Sequence, residues 1–134
     1  MDSKKIRIKS IIKSQGDIDK TSSVWDCKIK TKGDVVSIFY KEKLDDDTFV
    51  NTKINVEENK VTIIRTGDYS SRMEYIKNTE TEFLYNTPYG SMNAKIKTGD
   101  ISASVDEQGG HIEFSYEMSF FEALSMNSII IDVF

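Results

Sequence analysis

The stretch from Ile101 to Phe120 constrains the fold most, because it has the pattern of a β-hairpin with one apolar face. Between its arms, residues 106–110 read Asp-Glu-Gln-Gly-Gly, which tolerate the positive φ of a tight turn. The arms alternate in polarity, with apolar residues at Ile101, Ala103 and Val105 and then at Ile112, Phe114, Tyr116, Met118 and Phe120. Such a hairpin is not stable alone in water, so the remaining chain must cover its apolar face.

The rest of the chain repeats this pattern of short alternating segments, and no segment has a convincing helical period. Short turns join the segments, so consecutive strands must lie antiparallel and adjacent. The predicted strands cover 5–14, 23–31, 35–43, 49–57, 60–66, 70–77, 80–87, 91–98, 101–120 as the hairpin, and 124–134. We therefore expect an all-β antiparallel barrel of eight to ten strands in meander order, forming a single domain over 1–134.

Charge and the amino-terminal residues limit the classes of partner. The net charge is −4, so the chain lacks the excess of cations that phosphate binding uses, and a nucleic-acid partner is not expected. The segment 1–8 places charged residues among its isoleucines, which is unlike a signal-peptide core, and no stretch is apolar enough for a membrane helix. Because Cys27 is the only cysteine, an internal disulfide is excluded. We expect a cytoplasmic protein with no membrane partner.

Four short motifs carry a resemblance to a known family. They are Arg65-Thr66-Gly67, Arg72-Met73, Tyr85-Asn86-Thr87-Pro88-Tyr89-Gly90 and the Asp106 to Gly110 turn. In this order and spacing the chain resembles the YwiB-like family of small bacterial proteins, and the Thr87 to Gly90 element is the most specific part. The resemblance implies a calycin-like, lipocalin-like β barrel and carries no activity with it. The match is poorest at the Lys32 to Asp34 turn and over 121–127.

Arg65 is the first candidate for a binding residue. It shares one face of its strand with Val61 and Ile63, so it is expected to point into the barrel. A buried guanidinium is costly without a partner, and a ligand carboxylate or phosphate would pair with it bidentately. In the alternative interpretation, Arg65 lies at the strand end and pairs with Glu74, with Glu82 or with solvent.

Aromatic residues form the second part of the predicted site. Trp25, Tyr75, Tyr85 and Tyr89 combine an apolar body with a polar tip, which suits a pocket for a small amphiphile. They are equally suited to filling the barrel, since an eight-stranded barrel is either packed by side chains or holds one ligand. The sequence leaves both interpretations open.

The sequence offers few residues from which a catalytic site or a metal site could be built. His111 is the only histidine and follows a glycine pair on a polar strand face, with no nucleophile motif beside it. Cys27 and His111 alone do not supply the four ligands of a structural zinc site. The acidic run 45–47 lacks the ligand spacing of a calcium loop and is expected to be hydrated. We therefore predict no enzyme activity, no cofactor and no metal.

Two functional hypotheses remain. The first is a non-enzymatic barrel that binds a small amphiphilic or anionic ligand inside, with Arg65 as the anion partner. The second is a packed barrel that acts through its outer surface, as a homodimer or another protein-interaction module. It is motivated by Val35 to Tyr40 and Ile129 to Phe134, which carry more apolar residues than one face can bury.

Overall fold

The computed structural model describes residues 4–43, 48–67, 70–87, 90–120 and 123–134, without the side chains of 85–87 and 120. These residues form ten β-strands. Their bounds are β1 Lys4–Ser14, β2 Asp17–Lys32, β3 Val35–Lys43, β4 Phe49–Glu57, β5 Lys60–Gly67, β6 Ser71–Ile76, β7 Glu80–Thr87, β8 Gly90–Asp106, β9 Gly109–Phe120 and β10 Ala123–Val133. Among the described residues, no helix is long and apolar enough to cross a membrane.

All ten strands belong to one antiparallel sheet in the order β6-β5-β4-β3-β2-β1-β10-β9-β8-β7. Consecutive strands are neighbours, and β10 returns to pair with β1 along Ile6 to Lys13. The sheet curls into a nearly closed barrel whose two edge strands, β6 and β7, face each other. The prediction of an antiparallel barrel in meander order is confirmed.

The hairpin that organises the sequence is the pair β8 and β9. Asp106 lies opposite Gly109, and the Asp106 side chain accepts a hydrogen bond from the Gln108 amide. A Cβ added at Gly110 would overlap the Ser104 carbonyl oxygen, so the backbone approach requires glycine here. The predicted strand 91–98 and the first arm of the hairpin are one strand, β8. A β-bulge between Thr98 and Ile101 reverses which parity faces inward.

Strand β2 is longer than the sequence suggested, beginning at Asp17 rather than at Ser23. Its first residues pair with the far end of β1, where Ile18 lies opposite Lys13. They are exposed, so no apolar alternation signals a strand. Backbone pairing with β1 forms this part of the strand without an apolar alternation.

The core fills the middle of the barrel with inward side chains from every part of the sheet. Tyr75 is 1% exposed, and its ring centre lies 4.8 Å from that of Phe114 and 4.8 Å from that of Tyr116. The aliphatic residues around this cluster include Ile6, Ile38, Ile54, Val61, Ile63, Ile96, Ile112 and Ile131. The aromatic cluster therefore packs the centre, and any interior site must lie to one side of it.

Candidate functional site

One inward row of the barrel is polar where its neighbours are apolar. Across β2 to β6, directly opposed residues form the row Cys27, Tyr40, Thr52, Arg65 and Ser71. The adjacent inward row is Ile29, Ile38, Ile54, Ile63 and Met73. Since opposed side chains in a sheet lie about 5 Å apart, Thr52 and Arg65 are direct neighbours. Arg65 thus shares the inward face with Ile63, as the strand parity predicted.

The polar row contains buried groups without a hydrogen-bond partner. The Nε of Arg65 and the Oγ1 of Thr52 are both buried, and neither has a partner within the described part of the chain. Thr52 is 2% exposed, so water does not satisfy its hydroxyl from outside. Buried polar groups are nearly always paired, and an unpaired one costs about 1–3 kcal/mol. Both groups are hydrogen-bond donors, so an acceptor oxygen beside either one would offset this cost.

The alternative partner considered for Arg65 is engaged elsewhere. The Glu74 carboxylate lies 3.1 Å from the Arg72 guanidinium and 3.7 Å from the Lys60 ammonium group. Glu74 and Arg72 share the outward parity of β6, and the Arg72 side chain is 62% exposed. Within the described ranges, Arg65 forms no ion pair with Glu74 or Glu82. Arg72 therefore points outward, away from the polar row.

Electrostatics place Arg65 close to the aromatic cluster. Burial raises the pKa of Tyr75 well above its ordinary value, and burial also raises the pKa of Tyr116. The positive charge of Arg65 acts in the opposite direction on the pKa of both phenols without outweighing burial. Both tyrosines therefore stay neutral near pH 7 and offer hydroxyl groups rather than charge.

The seam between the two edge strands gives access to Arg65. Near the 77–79 turn, the strands are held together by the Thr81 hydroxyl, which donates to the Glu74 carbonyl at 2.8 Å. Further along the seam lies a pocket of about 540 Å³ whose lining includes Arg65, Ser71, Glu82 and Phe83. Arg65 is therefore both a neighbour of the core and part of an open pocket.

The predicted aromatic residues are distributed over different surroundings. Tyr75 lies in the central cluster, and its hydroxyl donates to the Met73 sulfur at 3.2 Å. Trp25 packs against the core near Ile6 and donates from Nε1 to the Ser23 hydroxyl at 3.0 Å. The backbone of Tyr85 lies in β7 opposite Met92, but its side chain lies outside the described part. Tyr89 and the acidic run 45–47 also lie outside the described residues.

Thr52 is the site residue that the sequence reasoning missed. The alternation of β4 could have indicated it, because Thr52 takes an inward position between Val50 and Ile54. A lone threonine in such a row is common, however, and usually finds a backbone partner. Thr98, 1% exposed and opposite Tyr116, likewise has an unpartnered hydroxyl in the described structure.

His111 lies on the outer face, away from the polar row. Its Nδ1 is 2.6 Å from an Asp132 oxygen, and its Nε2 is 3.3 Å from a Glu113 oxygen. The hydrogen bonds to these carboxylates raise the pKa of His111. No nucleophile is hydrogen-bonded to the imidazole in the described part, and those residues hold no cluster of three or more metal-ligating side chains.

Comparison with known proteins places the chain in a family. Residues 6–130 match the family described as "Domain of unknown function (DUF1934)". The chain belongs to this family. It is 25% identical over 113 residues to the "Uncharacterized beta-barrel protein YwiB" of Bacillus subtilis (strain 168), covering 84% of this chain and 79% of that protein.

The crystal structure of the YwiB protein from Bacillus subtilis has the same fold. It superposes with a TM-score of 0.83 at 23% sequence identity, over 97% of this chain and 90% of that one. The resemblance stated from the sequence motifs is confirmed. These relatives establish the barrel architecture and assign no ligand, so the chemistry must be argued from this chain's own residues.

Proposed function

We infer that the barrel binds a small anionic molecule beside Arg65, in the pocket at the seam between β6 and β7. The observation that carries this inference is the pair of buried, unpartnered groups, Arg65 Nε and Thr52 Oγ1, on directly opposed residues. Arg65 lines this pocket and Thr52 is not part of its lining, so a carboxylate or phosphate oxygen would accept its hydrogen bonds from the Arg65 guanidinium. That would offset the desolvation cost of the guanidinium and place a negative charge beside it.

The surroundings of the pocket favour an anion with an apolar body. Phe83, which packs against the core, lines the pocket next to Arg65, and Leu84 lies at its outer rim. An apolar group resting on Phe83 would be removed from water while the anionic end reaches Arg65. The pocket volume of about 540 Å³ suits a small molecule and not a folded partner.

The first experiment is native mass spectrometry of the freshly purified protein, compared with the same sample after denaturation. We expect an additional non-covalent mass on wild-type protein and on the Arg72→Ala variant, and none on Arg65→Ala. The Arg72→Ala variant is the matched control, because it removes the same charge from the lining of the same pocket. Unlike Arg65, the Arg72 side chain points outward.

A second measurement uses a named probe, the anionic amphiphile anilinonaphthalene sulfonate, followed by its fluorescence. Protein unfolded and refolded to remove bound molecules should bind it, and Arg65→Ala should weaken binding by about tenfold or more, as expected for a lost charge-assisted hydrogen bond. Equal affinity of wild type and Arg65→Ala would contradict the inference. Urea unfolding of each variant checks that the fold is kept.

A second candidate function, assembly into a homodimer, is supported by one exposed apolar patch. Ile18 is 58%, Leu124 53% and Met126 47% exposed, and Lys13 lies between Ile18 and Met126 in the sheet. Exposed apolar patches commonly mark association sites. The same mass spectrum tests this candidate, because a bare species at twice the chain mass would support the dimer, and a Met126→Glu variant should then be monomeric.

A further inference from the structure

The outer face of β2 to β6 carries a second row, displaced by one residue from the polar inward row. Directly opposed residues in this row are Lys28, Phe39, Lys53, Ile64 and Arg72. Cationic and apolar side chains therefore alternate across five strands. Because neighbouring strands lie about 4.8 Å apart, consecutive cations of the row are about 10 Å apart.

The first four residues of the row line an open groove of about 1310 Å³ on the barrel surface, whereas Arg72 lines the pocket at the β6–β7 seam. Lys28, Lys30, Lys41 and Lys53 line it, against the carboxylates Asp26 and Glu107. The Asp26 carboxylate is already paired with Lys5 at 2.9 Å, and Glu107 is held at the rim by a hydrogen bond from Thr31. A protein of net charge −4 thus gathers cations in one groove.

These lysines have no acidic partner in the described structure. The ammonium groups of Lys30 and Lys53 lie 5.9 and 5.5 Å from the centre of the Phe39 ring, and that of Lys41 lies 4.6 Å from the centre of the Phe49 ring. Exposed contacts of this kind are weak, whereas a hydrogen bond from an ammonium group to a carboxylate is among the stronger polar interactions of proteins. Among the described residues, the lining of the groove holds more ammonium groups than carboxylates, so it is complementary to added negative charge.

We propose that this groove binds an acidic, extended segment of another polypeptide, with its carboxylates on the lysines and an apolar side chain on Phe39 and Ile64. Alternate residues of an extended peptide are about 6.8 Å apart, which matches Lys28 and Lys30, two residues apart on β2. The groove and the pocket at Arg65 share Ile64 and Thr66 in their linings, but Arg65 lines only the pocket and Lys28 and Lys53 line only the groove. Each proposal is therefore tested by its own variants.

A polypeptide fits the groove better than a nucleic-acid strand because of the carboxylates in its lining. Asp26 and Glu107 would repel a continuous polyphosphate, whereas a peptide carries its charge only at particular positions.

The test measures fluorescence anisotropy with the labelled peptide Glu-Glu-Phe-Glu-Glu-Phe-Glu-Glu at low ionic strength. We expect wild-type protein to bind it, with affinity falling as salt is added. The double variant Lys28→Glu, Lys53→Glu should bind at least about tenfold more weakly, since two cation contacts become repulsive. The same peptide with every Glu replaced by Gln should not bind.

The matched control reverses two lysines of the outer face that lie outside the groove, Lys9→Glu with Lys20→Glu. Both are exposed and are opposed in the sheet by uncharged residues, so the net charge changes equally while the groove is kept. Binding by the control should stay within about threefold of wild type. An equal loss in both double variants, or absence of peptide binding by wild type, would overturn the proposal. Preferential binding of a labelled single-stranded oligothymidine would overturn it in favour of nucleic acid.

Discussion

The two rows on opposite faces of β2 to β6 show how one residue of displacement changes the chemistry of a side chain. The inward row holds Thr52 and Arg65, whose Oγ1 and Nε are enclosed and have no hydrogen-bond partner among the described residues. The outward row holds Lys53, which follows Thr52 in the chain, and its ammonium group reaches an aromatic ring and solvent. A missing partner costs far more inside than outside, because water replaces the partner only on the outer face. An enclosed polar group therefore depends on a protein or ligand partner, whereas an exposed one does not.

The sharpest test of this contrast replaces two neighbouring isoleucines on β5. Ile63 points inward and is 5% exposed, so Ile63→Ala should lower the free energy of unfolding by about 2–5 kcal/mol. Ile64 points outward and is partly exposed, so Ile64→Ala should cost about 1 kcal/mol. Urea unfolding followed by circular dichroism measures both. Equal losses would mean that the two faces of β5 are not different environments.

A smaller effect of opposite sign is expected at Thr52. In refolded, ligand-free protein, Thr52→Val should raise the free energy of unfolding by about 1 kcal/mol, because a buried hydroxyl without a partner is replaced by a methyl group. The exposed Thr66, on the outer face of β5, gives the control, and Thr66→Val should stay within about 0.5 kcal/mol of wild type. A clear loss of stability in Thr52→Val would show that its hydroxyl has a partner after all.

The smallest effect concerns the pH dependence of the outer face. The carboxylates of Asp132 and Glu113 raise the pKa of His111 above its ordinary value of 6.5 in the folded state. Protonated His111 therefore stabilises the fold below pH of about 6.5, and this contribution is lost as the pH rises through the raised folded-state pKa. The imidazole is 46% exposed, so the change is small.

Urea midpoints measured across this pH range check the sign. Wild-type protein should lose a little stability as the pH rises through the folded-state pKa of His111, and His111→Gln should lose that slope. If both proteins show the same slope, the titrating group is another residue.

Much of the fold could be predicted from the sequence, because alternation at period two is direct evidence for which side of a strand faces inward. This alternation predicted the inward position of Arg65 and the hairpin formed by β8 and β9. It could not give the start of β2 at Asp17, since exposed pairing leaves no apolar pattern. It also could not show that 91–98 and 101–106 are one strand, because the bulge at residues 99–100 interrupts the alternation.

The candidate site was less predictable than the fold. Which residues of a row face each other depends on the register between strands, and the sequence does not state the register. The pairing of Thr52 with Arg65 therefore became visible only in the structure. The location of Tyr75 among Phe114 and Tyr116, at the packed centre, likewise depends on three strands that are distant in sequence.

The pairing of β10 with β1 determines when the barrel can close during synthesis of the chain. Each hairpin of the sheet can form as soon as its two strands have left the ribosome, but Lys5 exchanges two backbone hydrogen bonds with Phe134, at the other end of the sheet's sequence. Until β10 is synthesised, β1 presents an unpaired strand edge to other protein chains, and contacts so distant in sequence form slowly. Exposed lysines on β1 then discourage aggregation of the nascent chain until its last strand has been synthesised. They are Lys5, Lys9 and Lys13.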